Sequence, residues 1–293
     1  MLKKFITIFI SFIFMLNVNA EDLKSNVTNK VTNNLTNSLN EHFTSGLGKI
    51  FPTAEVTLSS GKTQKVKGNV LVVKPFSDIN DTKNVTFTQG SIYLSDDDTE
   101  TFNLGVGQRK LLDNENLMLG ANLFYDHELS SNHRRASFGV EAITSVGSLR
   151  ANQYYGISGW KVVGDITEKA LDGHDFEVGA PLPYLPWANF YLRTFEWEGA
   201  SGTPDLKGDE MSLEAKLPFG LNVEVGKRSN EGATKDRRFA SLTWRCCNKD
   251  EPNFGISDKA YTLTSVADQR FQKVRRQNLI VKQQELTLSV IGF

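Results

Sequence analysis

The sequence has little cysteine and, after its first twenty residues, no long apolar run. Its only cysteines, Cys246 and Cys247, are adjacent. Neighbouring cysteines rarely form a useful cross-link, so the pair argues against a disulfide framework, and we interpret both residues as incidental. No later stretch approaches the roughly eighteen consecutive apolar residues that indicate a transmembrane helix. We therefore expect no such helix in the mature chain.

A strong net charge is also absent. The chain carries 33 Lys and Arg against 34 Asp and Glu, which gives a formal net charge of −1 and no reason to propose a nucleic-acid partner. Hydrophobic residues make up 39% of the chain, a value that would suit a soluble domain. It suits a membrane β-barrel equally well, because lipid-facing and lumen-facing residues alternate along each strand and cancel in such averages.

Residues 1–20 have the pattern of an export signal. Lys3 and Lys4 form a positive start, residues 5–16 are almost unbroken apolar sequence, and Val18 and Ala20 are small residues at a spacing that signal peptidase accepts. The apolar run is too short to span the roughly 30 Å of a bilayer core as a helix. We expect a signal peptide, cleaved before Glu21.

Residues 21–50 have a helical periodicity. Apolar side chains recur at every fourth position through a background of Asn, Thr, Ser and Lys, which favours a stripe along one side of a helix. Asn and Thr are poor helix formers, so a loosely ordered leader and a helix docked at a barrel mouth both remain open. The stripe consists of Leu23, Val27, Val31, Leu35, Leu39 and Phe43.

From Pro52 the period changes from four residues to two. In the segment 101–109, Phe102, Leu104 and Val106 alternate with Asn103 and other polar or glycine residues. Similar segments recur about twelve times, each roughly nine to ten residues long, which is the length of a tilted membrane strand, and an even number is typical of bacterial barrels. The expected strands lie near 53–60, 66–74, 85–94, 101–110, 116–126, 135–144, 148–156, 173–180, 188–197, 209–217, 220–228 and 237–246.

Such alternation fits either a soluble β-sandwich or a membrane barrel. Two features favour the barrel. The polar faces carry glycines and charges of both signs, as a crowded lumen would: Arg109, Glu141, Glu177, Glu214, Lys216, Glu224 and Arg228. Aromatic residues gather near strand ends, which is typical of the two interfacial girdles of a membrane barrel: Tyr125, Tyr154, Tyr155, Trp160, Tyr184, Trp187, Trp197 and Trp244.

The last forty or so residues do not continue the barrel. If Phe293 ended a final strand, its same-face partners would include Ser289, Thr287 and Glu285, which is not an apolar band. Residues 240, 242 and 244 make a better last lipid face. Residues 250–284 are therefore expected to follow the barrel, and at about 3.3 Å per extended residue they are long enough to thread a lumen.

Particular runs of residues resemble the β-domain of the inverse autotransporters, the intimin and invasin family, over roughly residues 45–245. They are TFNLGVGQR at 101–109, LMLGANLFYDH at 117–127, NHRRASFGVE at 132–141, GISGW at 156–160, GHDF at 173–176 and PLPYLP at 181–186. The run 274–281 resembles the linker that follows the barrel in that family. The barrel residues that carry the resemblance are Asn103, Gly105, Gly107, Gln108, Arg109, Gly120, Asn122, Asp126, His127, His133, Arg134, Arg135, Gly139, Glu141, Gly159, Trp160, Gly173 and Asp175.

The resemblance implies an all-β, transmembrane antiparallel β-barrel of about twelve strands in the bacterial outer membrane, with a short N-terminal helical segment and a C-terminal linker. It implies a periplasmic N-terminus, a C-terminus on the cell surface, and a translocator that anchors and exports a C-terminal segment. The expected parts are a signal peptide (1–20), a periplasmic segment (21–50), the barrel (51–247), and a linker with the start of a passenger (248–293). The expected partners are outer-membrane lipid, the barrel's own linker, the barrel assembly machinery and periplasmic chaperones.

The sequence departs from the family pattern at its C-terminus. Intimins and invasins continue into immunoglobulin-like domains, whereas residues 285–293 resemble only the approach to such a domain. The adhesin passenger is therefore expected to be absent from this sequence, and a separately encoded passenger is one open possibility. A passenger-less structural or pore-forming barrel remains the alternative, and an outer-membrane hydrolase is the third candidate.

A cluster of titratable residues invites a metal or acid–base interpretation: Asp126, His127, Glu128, His133 and His174. The histidines lie near predicted turns, where we expect them to be solvated. A Ser/His hydrolase would need its groups within hydrogen-bond reach. Ser131 and Asp126 lie near His133, but no strand places a His and a Ser on the same face in an evident catalytic pattern. We expect no catalytic residue, no cofactor and no metal site.

Overall fold

The computed structural model describes residues 51–61, 64–78, 80–95, 99–112, 115–231, 236–246 and 255–285. The expected signal peptide, the expected N-terminal helix and the residues after 285 lie outside the described residues. Within those ranges, no helix has the length and apolar character needed to cross a membrane.

Fifteen strands and two short 3-10 helices, Pro218–Gly220 and Ala267–Phe271, form the described part of the chain. The strands are β1 Thr53–Gly61, β2 Gln64–Pro75, β3 Asn84–Leu94, β4 Glu100–Leu111, β5 Met118–Glu128, β6 His133–Thr144, β7 Gly147–Gly156, β8 Lys161–Val163, β9 Ile166–Ala170, β10 Gly173–Leu182, β11 Leu185–Trp197, β12 Leu206–Lys216, β13 Leu221–Asn230, β14 Arg237–Cys246 and β15 Lys282–Gln284.

Twelve of these strands form one closed antiparallel barrel, in the order β1-β14-β13-β12-β11-β10-β7-β6-β5-β4-β3-β2. Closure comes from the pairing of the first and last strands, with Glu55 opposite Arg245. A closed barrel satisfies every backbone hydrogen bond between strands and leaves no free edge, which is what a membrane requires. The prediction of a twelve-stranded transmembrane barrel is confirmed, and each expected strand matches an observed one.

The even strand number places the start of β1 and the end of β14 at the same end of the barrel, here called the proximal rim. The opposite end is the distal rim. Since every barrel strand is antiparallel to its neighbours, the turns alternate between the two rims. The β4–β5, β6–β7 and β10–β11 turns lie at the proximal rim. The long connection between β7 and β10, which contains β8 and β9, lies at the distal rim.

Side chains alternate between lumen and outer surface along each barrel strand. In β4, Asn103 and Arg109 are buried, whereas Leu104 and Val106 are each 48% exposed. In β5, Phe124 is buried and its neighbour Leu123 is 60% exposed. The outward residues form an apolar band with no covering layer among the described residues, so lipid is the surrounding that suits it. The expected assignment of lumen-facing and lipid-facing residues is confirmed.

The expectation that all eight strand-end aromatics form interfacial girdles is wrong for Tyr154 and Trp197. Both are buried inside the barrel, with ring centroids 5.1 Å apart. Tyr154 and Tyr155 are neighbours on one strand, so they must point to opposite faces, and only Tyr155 points outward. Position near a strand end does not decide the face; the alternation of side chains along the strand does.

A small second sheet at the distal rim was not predicted. β8 and β9 form a hairpin, here called the distal hairpin, whose turn includes Gly164 in a left-handed conformation (φ +62°). β15 adds to the other side of β9, so the sheet has the order β15-β9-β8. Strands of three to five residues carry too little periodicity to be recognised in the sequence.

Candidate functional site: the occupied lumen

Residues 255–285, here called the threaded segment, pass from the proximal rim to the distal rim. At the proximal rim, Ser257 N donates to Tyr184 O (2.9 Å) and Val266 N to Glu115 O (2.8 Å). Near the start of β1, Thr53 Oγ1 donates to the Phe271 carbonyl (2.8 Å). At the distal rim, β15 pairs with β9. The lumen of the barrel is thus filled by the chain's own C-terminal part.

Side chains of the barrel wall accept and donate the hydrogen bonds that the threaded backbone needs. Arg109 Nη1 donates to the carbonyls of Arg270 (2.8 Å) and Gln272 (2.6 Å). Arg135 donates to the carbonyls of Gln277 (2.6 Å) and Leu279 (3.1 Å). An extended chain with no strand partner has unpaired polar groups, and burying them without partners is costly. Wall arginines on β4 and β6 supply those partners.

Two wall residues serve the N–H groups of the threaded segment. The Val274 N–H donates to Gln89 Oε1 (2.8 Å), and the Gln277 N–H donates to the Tyr154 hydroxyl (2.7 Å). That hydroxyl in turn donates to Asp175 Oδ2 (2.8 Å). Tyr154 therefore acts as acceptor and donor at once, which explains why a tyrosine is buried in the lumen.

Arg276 forms the most deeply buried ion cluster. Its guanidinium bonds both carboxylate oxygens of Asp126 (2.9 and 2.7 Å), and Arg135 contacts the same carboxylate at 2.8 Å. The side chains of all three residues have 0% exposure. Arg276 also lies 4.4 Å over the Phe124 ring, and such stacking suits the weakly hydrated planar guanidinium.

Arg275 faces the opposite side of the lumen and contacts three carboxylates. Its nitrogens lie 2.9 Å from Glu177, 3.2 Å from Glu214 and 2.9 Å from Glu224. Glu214 and Glu224 are directly opposed on β12 and β13, so without a cation they would repel each other. Two consecutive arginines of the threaded segment thus fix it to opposite walls of the barrel.

Two lysines extend this pairing towards the rims. Lys273 lies 2.9 Å from Glu55, which Arg245 also contacts at 2.7 Å. At the distal rim, Lys282 lies between Glu128 (2.5 Å) and Glu168 (2.8 Å). Burial by itself lowers the pKa of Lys282, but the two carboxylate hydrogen bonds outweigh it and raise that pKa above its usual value.

An apolar cluster closes the proximal half of the lumen. Phe271 and Val274 of the threaded segment pack against five buried wall residues: Leu71, Val73, Val85, Phe87 and Phe124. Burying these side chains together is favourable, and it excludes water from the region beside the Arg109–Glu141 ion pair (2.6 Å).

Inward-facing glycines leave room for aromatic rings laid along the wall. A Cβ atom added to Gly105 would lie 2.4 Å from the Phe124 ring, and one added to Gly107 would lie 2.5 Å from the Phe87 ring. Glycine in a strand often marks such a close approach. The same rings pack against Phe271 and Val274 of the threaded segment.

The motif residues named from the sequence divide by position. Most lie on the lumen face: Asn103, Gly105, Gly107, Arg109, Gly120, Asn122, Asp126, His133, Arg135, Gly139, Glu141, Gly173 and Asp175. Gln108, His127 and Arg134 lie on the outer face, and Gly159 and Trp160 lie in the loop before β8. Glu55 and Tyr154 are lumen residues that were not predicted, and no role was predicted for Arg275 and Arg276. The cation-rich run at 273–276 beside a wall rich in carboxylates is the signal that could have revealed them.

The expectation that the histidines are solvated is wrong for His133. Its side chain has 0% exposure, its Nδ1 lies 2.9 Å from Ser158 Oγ, and its Nε2 lies 3.4 Å from Glu168. Ser158 is itself buried and accepts a hydrogen bond from the Arg134 N–H (3.1 Å). These contacts fix the start of β6 to the loop before β8.

The residues that a hydrolase would use are engaged in other contacts. Asp126 bonds two arginines, and the Ser131 hydroxyl donates to Glu128 (2.5 Å). Among the residues that the structure describes, no group of three or more His, Cys, Asp or Glu is placed to hold a metal ion.

A polar cavity of about 280 Å³ remains beside the threaded segment. It is lined by residues of β1–β3 and β11–β14, including Thr57, Tyr93 and Arg228, and by residues 273–279. The segment therefore lies closer to the β4–β7 wall than to the β12–β14 wall.

A closed barrel with an apolar outer band and a lumen filled by its own chain defines this molecule as a self-threaded outer-membrane β-barrel. The model of the family described as "Inverse autotransporter, beta-domain" matches residues 11–278. The chain belongs to that family. It is therefore a β-barrel of the bacterial outer membrane and contacts lipid.

Curated relatives agree with this family. The chain is 36% identical over 206 residues to a "Putative attaching and effacing protein homolog" of Escherichia coli (strain K12), covering 67% of this chain and 65% of the relative. It is 29% identical over 219 residues to an "Invasin" of Yersinia enterocolitica, covering 69% of this chain and 25% of the relative. The chain thus spans less than two thirds of the length of these relatives.

A solved structure shares the fold. It is described as "Unveiling the Mechanism Behind the in-meso Crystallization of Membrane Proteins" and superposes with a TM-score of 0.68 at 22% identity. The match covers 80% of this chain and 99% of that chain, and at this identity it shows the fold alone.

Proposed function

We propose that this barrel anchors and exports its own C-terminal segment, with the proximal rim in the periplasm and the distal rim at the cell surface. The observation that carries the proposal is the path of the threaded segment, which contacts Tyr184 at the proximal rim and pairs with β9 at the distal rim. The proposed parts are a signal peptide (1–20), a periplasmic segment (21–50), the barrel translocator (51–247), and a linker with the start of a passenger (248–293).

The lumen contacts support a segment that stays in place after export. Lys273, Arg275, Arg276 and Lys282 each contact wall carboxylates. An ion cluster that is fully enclosed resists separation, because breaking it leaves buried charges unpaired. The segment then serves as both the exported linker and the stopper of the barrel.

Epitope accessibility tests this proposal. An epitope after Phe293 should bind antibody on intact cells, as should a control epitope at Gly202 in the distal β11–β12 loop. An epitope at Asn80 in the proximal β2–β3 turn should bind only after the outer membrane is permeabilised. A C-terminal epitope that needs permeabilisation, while the Gly202 epitope does not, contradicts export.

The alternative is a structural or pore-forming barrel without a passenger. Among the described residues, the cavity beside the threaded segment is the one feature that favours it, whereas the close contacts of the segment with both walls favour an occluded lumen. Stable conductance of the full chain in planar bilayers would support the pore, and a closed barrel would support the threaded stopper.

A role without catalysis forms part of the proposal, because Asp126, Ser131 and His133 are engaged in structural contacts. Lipase and protease activities of membranes should therefore not change in the variants His127→Ala and His133→Ala. The barrel assembly machinery, periplasmic chaperones and a separately encoded passenger are proposed partners. Co-purification with the full chain tests them.

A further inference from the structure

The distal hairpin, residues 161–170, has an unusual position. It is not part of the barrel wall and lies within the connection between β7 and β10 at the distal rim. One edge of β9 pairs with β8, and its other edge receives β15 of the threaded segment, with Lys169 opposite Gln283. A strand that leaves the lumen is thus added to a ready-made sheet edge.

Apart from the Lys282–Glu168 ion pair, the contacts of this edge are backbone hydrogen bonds. Leu171 N donates to Val281 O (3.0 Å) and Glu285 N donates to Thr167 O (2.8 Å). Since bonding directions alternate along a strand, residues 167, 169 and 171 face the threaded segment, whereas residues 166 and 168 face β8. Strand addition through the backbone accepts many sequences, in contrast to the side-chain contacts made by Arg275 and Arg276.

The neighbouring loop strengthens the same edge. Gln283 accepts a hydrogen bond from the Ala200 N–H (2.8 Å) and donates to the Ala200 carbonyl (3.1 Å). In the sequence that follows β15, the apolar residues Leu286, Leu288 and Val290 alternate with polar residues. That pattern suits further strand addition.

We propose that the distal hairpin is a strand-addition site for the emerging chain and holds it against return into the lumen. The proposal rests on the export function proposed above and names the element that retains its product. While chain is still moving, the lumen-specific partners of Arg275 and Arg276 are not in register with them. The backbone edge of β9 can bind each extended stretch that leaves the barrel, so every bond formed there opposes backward movement.

Two proline variants in the same hairpin test the proposal. Lys169→Pro removes an N–H that faces the threaded segment. Val162→Pro is the matched control, because Val162 lies opposite Thr167 on the outer strand and its N–H faces away from β9. The full chain with a C-terminal epitope is pulse-labelled, and the appearance of the epitope on intact cells is followed over time.

Lys169→Pro should slow the appearance of the epitope at the cell surface about fivefold. The loss of one backbone hydrogen bond, about 1 kcal/mol, corresponds to that factor. Val162→Pro should match the unmodified chain, and both barrels should keep the same heat-modifiable mobility. Gln283→Pro removes the reciprocal backbone donor from the emerging chain, together with the side-chain contacts to Ala200, without altering the hairpin. It should slow export at least as much. Equal rates for Lys169→Pro, Gln283→Pro and the unmodified chain overturn strand addition, as does an equal slowing by Val162→Pro. An unmodified chain whose epitope never reaches the surface overturns the export function and this proposal together.

Discussion

The guanidinium of Arg276 lies 2.7 Å from the carboxylate of Asp126, and neither side chain is exposed. The two residues are separated by 150 positions in the chain. Their contact connects the threaded segment to β5, and Arg135 completes it from β6. A pair of this kind contributes more to position than to stability, since desolvation offsets much of its attraction. Removing one partner, however, leaves the other charge buried alone.

Asp126→Asn should therefore destabilise the barrel. The amide keeps the shape of the side chain but leaves Arg135 and Arg276 without a counter-charge, and breaking a buried pair costs about 3–5 kcal/mol. Denaturant unfolding of the purified barrel measures the change in the free energy of unfolding. Asp209→Asn, at an exposed position of β12, is the control and should change it little. Equal unfolding midpoints for the two variants would show that the cluster does not hold the segment.

Arg275→Met should loosen the threaded segment. The variant leaves Glu177, Glu214 and Glu224 without the cation that contacts all three. Repulsion between Glu214 and Glu224 and the lost contacts should increase the fraction of barrels whose segment has left the wall. Planar-bilayer recordings should show openings that the unmodified chain lacks.

Arg238→Met, at an exposed position of β14, is the matched control for this measurement. It removes the same charge from outside the lumen and should leave the barrel closed. A silent Arg275→Met barrel would mean that the remaining contacts suffice to hold the segment.

Gly105→Ala should destabilise the barrel because a Cβ atom there would lie 2.4 Å from the Phe124 ring. Displacing that ring also disturbs Arg276, which stacks on it. Overpacking of this kind costs about 1–3 kcal/mol. Gly68→Ala is the control, since no atom lies within 4 Å of the added Cβ. The thermal midpoint of heat-modifiable mobility compares the two, and an unchanged Gly105→Ala midpoint would contradict close packing at this wall.

Leu123→Lys tests the lipid-facing surface. Leu123 lies midway along β5 and points outward, so a lysine there would enter the hydrocarbon region. Near the bilayer midplane that substitution costs about 2–4 kcal/mol. Val162→Lys is the control. Val162 is also an exposed apolar residue, but it lies on the distal hairpin, outside the barrel strands, so this variant should have no comparable effect. Folding yield and unfolding free energy in lipid vesicles measure both, and equal values would contradict the assigned membrane region.

Much of the barrel could be predicted from the sequence, because the alternation of side chains along a strand depends only on neighbouring residues. The period of two in β4 fixes that Asn103 and Arg109 share one face and that Leu104 takes the other. The same rule, applied to Tyr154 and Tyr155, would have placed Tyr154 in the lumen. The girdle prediction was wrong there because it used distance from the strand end instead of the alternation along the strand.

Other features depended on contacts far apart in the chain. The pairs Asp126–Arg276 and Glu177–Arg275 are set by where the threaded segment lies relative to the wall, and periodicity gives no information on that. The burial of His133 depends on Ser158 and Glu168, which a loop brings to the start of β6. The pairing of β15 with β9 requires a segment that has already crossed the lumen.

The sequence by itself determined the number of barrel strands, their approximate limits and the two alternating faces of each strand, because backbone geometry alternates side chains residue by residue. Only the tertiary structure decided which lumen charges meet, which wall the segment lies against and what it pairs with at the distal rim. Those choices depend on barrel closure and on hydrogen bonds between residues 100 or more positions apart, such as Arg135 and Gln277 at a separation of 142. Such contacts form only once the chain has folded, so the order of residues along the chain does not reveal them.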